Sequence, residues 1–351
     1  MVQDNVLAAS GSRFVANALE TVWIRFSKRF FNTESETDAD GYHPEFAHQY
    51  FGDKEIIYGY ENLRLILHYT DASMFLYPEF SFSTAEDDIM GKLKSQLPCD
   101  QMNMMVESRE EFKILLLKQK KFKPFGELII KFTKKLFKET IITFESRGHE
   151  AGDGSRAYSF AGYASLYRFY AYPDRIRPRF AQIMLLPQYR KNGIGAKLLN
   201  AICKDLCSLT EVLDITVEDP ADNFIYLRDY VDCLNCSKLP EFSPEKLKGG
   251  FSMEMKKIAL EKLKITKRQS RRVYEILRLK STNMKDADEA KAYRLDVKRR
   301  LEVPMKRNER DWKKIQRALN DSEYAKLQQL YEAEVESYKL TIERMILYPN
   351  I

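Results

Sequence analysis

Hydrophobic and polar positions follow strand-like spacing in the first third of the chain. Residues 15–26 alternate imperfectly and predict a strand. Residues 55–60 and 63–69 are rich in β-branched and aromatic side chains and predict two more strands. The acidic stretch 33–40 predicts an exposed loop. Residues 1–125 are therefore predicted to form a mixed α/β region.

The middle of the chain combines strand-like segments with one helical stripe. Residues 158–170 are aromatic and alternating, and residues 179–186 form an apolar run that ends at Pro187. After Gly193, apolar side chains recur at intervals of four and three, as on one face of a helix, at Ile194, Leu198, Ile202, Leu206 and Leu209. A further strand is predicted at 212–217. This order is typical of a βαβ-like unit, although the sequence does not determine which strands pair.

Residues 255–351 are predicted to be helical. Pro304 is expected to separate two basic segments, and Asp321 and Ser322 to begin a new helix as N-cap residues. From there one apolar stripe steps by three or four residues, through Tyr324, Leu327, Tyr331, Val335, Tyr338, Ile342 and Met345. The stripe favours packing between helices of this chain over a groove for a partner.

Composition restricts the class of protein. The chain has 351 residues, of which 44% are hydrophobic and 31% charged, so it can bury cores and is not disordered. No stretch approaches the roughly 18 consecutive apolar residues of a membrane span, and the first twenty residues lack the pattern of a secretory signal. Five cysteines fit a reducing compartment better than a disulfide scaffold. We therefore expect neither a membrane protein nor a secreted one.

The net charge of +6 is unevenly distributed along the chain. Residues 256–351 hold 25 Lys/Arg and 15 Asp/Glu, whereas residues 1–255 hold 32 and 36, so a region of net +10 follows a body of net −4. The two parts are expected to have different partners, unless the basic surface is simply solvated. Residues 256–314 show no aromatic interleaving and no nucleic-acid-binding motif, so direct nucleic-acid binding is not expected.

The most informative candidate for chemistry is the turn 187–196, which joins a predicted strand to a predicted helix. Backbone N–H groups at a helix start lack partners, and the helix dipole favours an anion there. Gly193 and Gly195 let a ligand approach the backbone, and Arg190 and Lys191 add positive charge. The turn lacks the Gly-Lys-Ser/Thr of a Walker loop and the third glycine of the dinucleotide fingerprint. It is a candidate phosphate site, although Gly-x-Gly alone has little specificity.

A second candidate is Glu218-Asp219-Pro220, at the end of the predicted strand 212–217. Carboxylates at the carboxyl end of a strand lie where ligands bind in open α/β sheets. A glutamate buried there would have a raised pKa and could take a proton from an amine. The same residues are also a common way to begin a turn, so the motif alone does not establish catalysis.

Several segments together resemble a known family. Residues 177–199 resemble the acetyl-CoA motif of the GNAT superfamily, Gln/Arg-x-x-Gly-x-Gly/Ala, here Arg190-x-x-Gly193-x-Gly195. More narrowly, the chain is similar to type B histone acetyltransferase catalytic subunits over most of residues 15–347. The matching segments, in order, are Phe51-Gly-Asp-Lys-Glu-Ile-Ile-Tyr-Gly-Tyr60, Phe122-Lys-Pro-Phe-Gly126, Tyr172-Pro-Asp174 with Arg177-Pro-Arg179, Leu213-Asp-Ile-Thr-Val-Glu-Asp-Pro220, Leu227-Arg-Asp-Tyr230 and Arg272-Val-Tyr-Glu-Ile-Leu-Arg-Leu279.

The resemblance implies a fold, a reaction and partners. The fold would be an α/β (α+β) protein with a GNAT acetyltransferase core at 126–245, between an N-terminal mixed α/β domain at 1–125 and a basic helical domain at 246–351. The reaction would move acetyl from acetyl-CoA to lysines in the tail of newly made histone H-four, by direct attack and without a metal. A WD-repeat histone-binding chaperone would be a partner, and the protein would occupy the nucleus and the cytoplasm. An acidic body would suit a basic tail peptide.

The resemblance also implies roles for individual residues. Glu218 would be the general base, because a lysine with a pKa of about 10.4 must lose a proton before it attacks, and Asp219 would support it. The pantetheine arm would meet the backbone of Ile183, Met184 and Leu185. The pyrophosphate would be wrapped by Arg190, Lys191, Asn192, Gly193, Ile194, Gly195 and Ala196. Histone contacts are implied for Asp53, Lys54, Glu55, Tyr167, Arg168 and Phe169.

One segment departs from the family. Before Phe144 the family has a long segment with an aromatic-rich helix ending in Trp-Phe-Ile-Glu, whose glutamate is a second carboxylate near the active site. Here only residues 127–143 span that gap. The alternative hypothesis is therefore a catalytically impaired histone-binding scaffold subunit. The retained Glu218 and the intact 190–195 turn argue against it.

The cysteines offer competing chemistry. Cys203 and Cys207 lie four apart on the predicted helix and are interpreted as structural thiols. A cysteine nucleophile needs a histidine partner, and no matching motif surrounds His43, His48, His68 or His149. Cys233 and Cys236 form a Cys-x-x-Cys without a second pair, so a zinc site is not expected.

Overall fold

The computed structural model describes residues 14–27, 41–85, 88–96, 103–119, 127–129, 132–134, 143–144, 159–307 and 321–351. They form a mixed α/β fold, which confirms the predicted fold class. The chain divides into two compact units, one of residues 1–133 and 143–162 and the other of residues 134–142 and 163–351. The predicted division into three domains at residues 125 and 245 stays a prediction.

The first unit is built on short strands. Their bounds are β1 (Val15–Asn17), β2 (Val22–Ser27), β3 (Gly41–Tyr42), β4 (Ile56–Tyr58), β5 (Tyr60–Glu61), β6 (Arg64–Thr70), β7 (Leu76–Ser81), β8 (Thr84–Ala85), β9 (Glu127–Ile129), β10 (Phe132–Lys134) and β11 (Thr143–Phe144). One sheet has the order β3-β2-β6-β7, with β2 and β6 parallel and β6 and β7 antiparallel. β1 pairs with β4, β5 with β8, and β9 to β11 form a separate sheet.

Short helices cover this unit: α1 (Ala18–Thr21), α2 (His48–Phe51), α3 (Ile89–Gln96) and α4 (Arg109–Lys118). Ala18, Leu65 and Ile89 are almost fully buried in one shared core. The single strand predicted at 15–26 is wrong, because α1 interrupts it. The side chain of Asn17 accepts a hydrogen bond from the N–H of Leu19 at 2.9 Å, which starts this helical turn and ends β1.

The second unit contains a three-stranded sheet in the order β12 (Gly162–Ala171), β13 (Arg175–Leu185) and β14 (Thr216–Val217). A connection of only three residues joins β12 to β13, so these strands are antiparallel. Between β13 and β14 the chain makes a 3₁₀ turn, Pro187–Tyr189, and then helix α5 (Ile194–Ser208). β13 and β14 are parallel, which settles the strand pairing that the sequence left open.

The remaining helices follow the sheet: α6 (Asp222–Cys236), a 3₁₀ turn (Pro240–Phe242), α7 (Pro244–Lys248), α8 (Met253–Leu263), α9 (Lys267–Ser281), α10 (Ala287–Arg307) and α11 (Asp321–Leu347). The predicted break at Pro304 is wrong, since α10 continues through it. Pro304 lies three residues before the end of α10. It therefore removes one donor only, the N–H that would otherwise bond to the carbonyl of Arg300.

The apolar stripe of α11 packs within the chain, against α6, α9 and α10. Leu327, Tyr331, Val335, Tyr338 and Met345 are buried, as predicted, whereas Tyr324 is exposed. The interpretation of the stripe as an intramolecular interface is therefore confirmed.

A buried polar cluster joins α9, α10 and α11. The carboxylate of Glu275, which has no exposed surface, accepts hydrogen bonds from Arg271 at 2.8 Å, Arg300 at 2.9 Å and Tyr338 at 2.8 Å. Burial raises the pKa of the Tyr338 hydroxyl, which therefore acts as a donor to the carboxylate. This cluster ties three helices together through charged groups.

Candidate functional site

The candidate site lies where the parallel strands β13 and β14 separate. Their paired residues are Arg179 with Thr216 and Phe180 with Val217. The N–H of Glu218 then donates to the carbonyl of Phe180 at 2.9 Å. Among the described residues this is the last backbone hydrogen bond between the two segments. β13 nevertheless continues to Leu185, so its edge is open over its last five residues.

We call the space between the separating strands β13 and β14 the wedge. A bidentate ion pair holds its closed end. The Arg177 guanidinium donates to the two carboxylate oxygens of Asp214, at 2.5 and 2.9 Å. The N–H of Leu213 also donates to the carbonyl of Ile176 at 2.9 Å. Both contacts involve residues that come before the paired residues of β13 and β14. They therefore hold the two segments together at the end opposite the opening. The pKa of the Arg177 guanidinium is raised, because Asp214 accepts its hydrogen bonds.

The residues predicted to face a pantetheine arm lie on the open part of β13. Ile183, Met184 and Leu185 are its last three residues, and each is half-buried. Backbone groups of a strand that lacks a neighbour keep unused hydrogen-bonding capacity. The arrangement can therefore bind an elongated ligand that carries amide groups.

The turn after β13 brings the predicted phosphate-binding residues to the mouth of the wedge. The Nε of Arg190 donates to the carbonyl of Leu185 at 2.9 Å, which ties this side chain to the end of the strand. Lys191 and Asn192 are exposed, and Lys191 has a φ of 62°. The positive charge predicted for this turn is thus present at its surface.

The two glycines of the turn serve different purposes. Gly193 has a φ of 75° and open space where a side chain would lie, and it is the N-cap residue of α5. At Gly195 a Cβ would lie 3.2 Å from a methyl carbon of Leu185 and 3.5 Å from one of Leu227. Gly193 can therefore admit a ligand to the backbone, whereas Gly195 lets α5 pack closely on its neighbours.

Helix α5 begins directly after the turn, at Ile194. Ile194, its first residue, is half-buried and Ala196 is buried. Leu198, Ile202 and Leu206 are buried as the periodicity predicts, so the helix is fixed on the sheet. No acidic residue lies in its first turn, and the positive end of its dipole is therefore not neutralised there.

Glu218 and Asp219 follow directly after β14, beyond the last backbone hydrogen bond to β13. Both side chains are exposed, so Glu218 is not the buried glutamate that its place after a strand suggested. Asp219 has a φ of 33°, which turns the chain away from β13 towards α6. The two carboxylates therefore lie at the open end of the wedge, where an amine from solution can reach them.

The residues predicted to contact a histone lie in both units. In the first unit Asp53 and Lys54 are exposed in the turn after α2. Glu55 is engaged within its own unit, because its carboxylate accepts a hydrogen bond from the N–H of Ala47 at 2.6 Å. In the second unit Tyr167, Arg168 and Phe169 are exposed on β12, and the Arg179 guanidinium lies 4.5 Å from the ring centre of Phe169.

The cysteines of α5 and α6 are structural in character. Burial raises the pKa of the Cys203 thiol and raises that of Cys207 to about 11, so neither is a ready nucleophile. Cys233 and Cys236 are fully buried. The described part of the chain contains no group of three or more His, Cys, Asp or Glu side chains that could hold a metal ion. None of its helices is both long and apolar enough to cross a membrane.

Sequence reasoning missed residues that line a cavity of about 400 Å³ beside the turn. Lys197 lies one helical turn after Gly193, and this spacing was a usable signal. Arg344 and Tyr348 come from the end of α11 and its C-terminal extension. No local pattern relates them to a turn some 150 residues earlier in the chain.

The shortened segment 127–143 is described only in part, as the short strands β9 and β10 and the first residue of β11. The sequence hypothesis that this segment lacks a second carboxylate otherwise falls outside the described residues.

Comparison with known proteins gives concordant matches. A family model described as the N-terminus of histone acetyl transferase HAT1 matches residues 14–153, and one described as the C-terminal part of the histone acetyltransferase type B catalytic subunit matches residues 228–279. Type B catalytic subunits from Mus musculus and Homo sapiens are each 32% identical over 397 positions, covering 93% of this chain and 92% of the relative. That of Cryptococcus neoformans is 28% identical, covering 87% and 90%.

The alignment with the mouse protein is longer than this chain, 397 positions against 351 residues. The relative therefore contains residues, within the aligned span, that have no counterpart here. This agrees with a shortened segment.

Proposed function

Because the chain belongs to the family of histone acetyltransferase type B catalytic subunits, we propose that it transfers acetyl from acetyl-CoA to lysines in the N-terminal tail of newly made histone H-four. Family membership makes it a histone acetyltransferase with acetyl-CoA as co-substrate. The choice of histone H-four, the general base and the residue roles are parts of the proposal.

The observation that carries the proposal is the open edge of β13 between Phe180 and Leu185. Five residue steps along a strand cover about 17 Å. The pantetheine arm has about thirteen bonds from phosphorus to sulfur, which extend over about 15 Å at the rise of a stretched chain. The length of the arm therefore matches the length of this open edge. Its amides match the backbone groups that β13 leaves unused on this edge.

The turn supplies N–H donors and positive charge for a pyrophosphate. Gly193 leaves open space beside the first N–H groups of α5, and these groups and the helix dipole attract an anion. Lys191 is exposed beside them. We therefore assign the phosphate end of acetyl-CoA to residues 190–196, with Gly195 acting through helix packing rather than through contact.

Glu218 is the proposed general base. Acetyl-CoA supplies an activated acetyl group as a thioester. A lysine with a pKa of about 10.4 is almost entirely protonated near pH 7 and cannot attack in that form. The Glu218 carboxylate accepts the proton, and the neighbouring charge of Asp219 favours an approaching ammonium group. The neutral amine then forms a bond to the acetyl carbon, the carbon–sulfur bond breaks, and CoA leaves as the thiolate, which takes up a proton.

A basic histone tail is a suitable substrate for this chain. Residues 1–255 carry a net charge of −4, and complementary charge speeds encounter. We propose that Asp53 and Lys54, and separately Tyr167 to Phe169, contact the tail, and that a WD-repeat chaperone presents it. The proposed location in nucleus and cytoplasm follows from the same family membership.

Transfer of radiolabelled acetyl to a histone H-four tail peptide tests the proposal. Glu218→Gln should lower the rate by about 10²- to 10⁴-fold, leave acetyl-CoA binding by calorimetry nearly unchanged, and recover partly as the pH rises. Glu211→Gln, an exposed carboxylate in the same unit, is the matched control and should keep the wild-type rate. A Glu218→Gln protein with an unchanged rate would place the base elsewhere, for example at Asp219 or within residues 127–145.

The scaffold hypothesis gives a different result in the same assay. It is favoured by the shortened segment 127–143. Tight binding of the histone peptide with no transfer by the wild-type protein would support it and would contradict the proposed reaction.

A further inference from the structure

The cavity beside the Gly193 turn has a second wall that the proposed function does not use. One wall, from the turn and α5, includes Lys191 and Lys197. The other wall, from α6 and the end of the chain, is formed by Tyr230, Arg344, Tyr348, Asn350 and Ile351. At about 400 Å³ the cavity is within the range of small-molecule sites. All of these residues lie in the second unit.

The second wall is held in place by three contacts. The Arg344 guanidinium lies 4.7 Å from the centre of the Tyr230 ring. The hydroxyl of Tyr230, which is almost fully buried, donates to the carbonyl of Tyr348 at 2.7 Å. The N–H of Tyr348 donates to the carbonyl of Arg344 at 2.9 Å. Arg344 is therefore stacked on a fixed ring.

The cations of this cavity differ from the paired arginines elsewhere in the second unit. Arg272 is paired with Asp229 at 2.6 Å and Arg300 with Glu275 at 2.9 Å. By contrast, no side-chain carboxylate within the described ranges forms an ion pair with Lys191, Lys197 or Arg344, and Ile351 is the one lining residue at a chain end. Three cations that line one cavity without side-chain counter-charges can bind an anionic ligand.

The cations of this cavity come from three places in the chain and can bind more than one anionic group. A pyrophosphate at the N-terminus of α5 accounts for the bare N–H groups and for Lys191. Lys197 lies a helical turn further along α5, and Arg344 comes from α11. Acetyl-CoA carries a second anion, the 3′-phosphate of its ribose, close to the pyrophosphate.

We propose that Arg344 and Lys197 bind the 3′-phosphate of acetyl-CoA from opposite walls of the cavity, so that the C-terminal helix is part of the co-substrate site; this inference rests on the function proposed above. The 3′-phosphate has two negative charges near pH 7, and an arginine guanidinium presents paired N–H donors to such a group. The two residues thereby distinguish acetyl-CoA from its 3′-dephosphorylated form.

Calorimetric titration with CoA and with 3′-dephospho-CoA tests the inference without turnover. The full-length wild-type protein should bind CoA about tenfold more tightly than 3′-dephospho-CoA, the usual effect of a charge-assisted contact in a partly exposed site. Arg344→Gln and Lys197→Gln should each weaken CoA binding and leave 3′-dephospho-CoA binding almost unchanged, so that the ratio falls towards one. Arg299→Gln, an exposed arginine of α10 outside the cavity, should keep the wild-type ratio.

The outcomes separate this inference from the proposed function. A wild-type protein that binds neither ligand would overturn both. A protein that binds CoA, but whose preference for the 3′-phosphate is absent or is unchanged in both variants, would overturn the inference alone. Lys197 is exposed, so its replacement tests the inference even if Arg344→Gln fails to fold.

Discussion

Replacing Glu275 by Gln removes the charge at the centre of the cluster that joins α9, α10 and α11. The amide keeps the size of the side chain, but its NH₂ group then faces N–H and O–H donors. Two guanidinium groups, of Arg271 and Arg300, lose a shared counter-charge in a buried place. Breaking a buried pair from one side typically costs about 3–5 kcal/mol. Tyr338→Phe removes only one hydrogen bond to the carboxylate and should cost about 1.5–3 kcal/mol.

Urea denaturation followed by circular dichroism measures this difference. With a slope of about 3 kcal/mol per molar urea, Glu275→Gln should lower the transition midpoint of the second unit by about 1 M or more. Glu336→Gln, an exposed carboxylate on α11, is the matched control and should change stability by less than about 0.5 kcal/mol. A Glu275→Gln protein as stable as this control would refute the view that the cluster holds the helices together.

Three further predictions concern the site and the pH dependence of stability. Gly193→Asp should weaken acetyl-CoA binding in calorimetry by tenfold or more, because it puts a negative side chain into the open space of the turn. Gly193→Ala should lose less affinity, since its main cost is about 1–2 kcal/mol of backbone strain. An affinity of Gly193→Asp equal to that of the wild type would contradict the assignment. Turnover should favour a histone-tail peptide over a small amine at low salt. This preference should shrink as salt screens the negative charge of residues 1–255. The absence of a preference at low salt would favour a small-molecule acetyltransferase. Burial raises the pKa of Asp232 to about 6 from 3.8, so the folded protein binds this proton more tightly than the unfolded chain does. The stability from this proton is present below about pH 3.8 and is lost as the pH rises through about 6. Asp232→Asn should flatten that decline in unfolding measurements from pH 4 to 7, and an unchanged slope would contradict this prediction.

Elements with a regular local pattern were predictable from the sequence. The four- and three-residue spacing after Gly193 predicted α5, and the same spacing predicted the buried face of α11, because both helices bury one stripe. The strand predicted at 212–217 was too long. Its regular pairing is limited to Thr216–Val217, because Leu213 bonds to Ile176 on one side and Ile215 to Lys264 on the other. Such a change of partner depends on distant residues and leaves no local pattern.

The candidate site was predictable where one segment of chain forms it. The 190–196 turn and Glu218 are each continuous in sequence, so motif and resemblance located them. The different purposes of Gly193 and Gly195 were not predictable, since they depend on Leu185 and Leu227, which approach only in the fold. Arg344 was missed for the same reason, because its place beside the turn is fixed by α11 packing on α6.

The open edge of β13 has a consequence for handling the protein. A strand with unsatisfied backbone groups on one side is a template on which another chain can add as a strand. Pro187, directly after the strand, limits how far such pairing could extend. An occupant of the wedge would cover this template and also favour the folded state by mass action. Protein stored without acetyl-CoA should therefore self-associate faster than protein stored with it, and light scattering over time would record the difference.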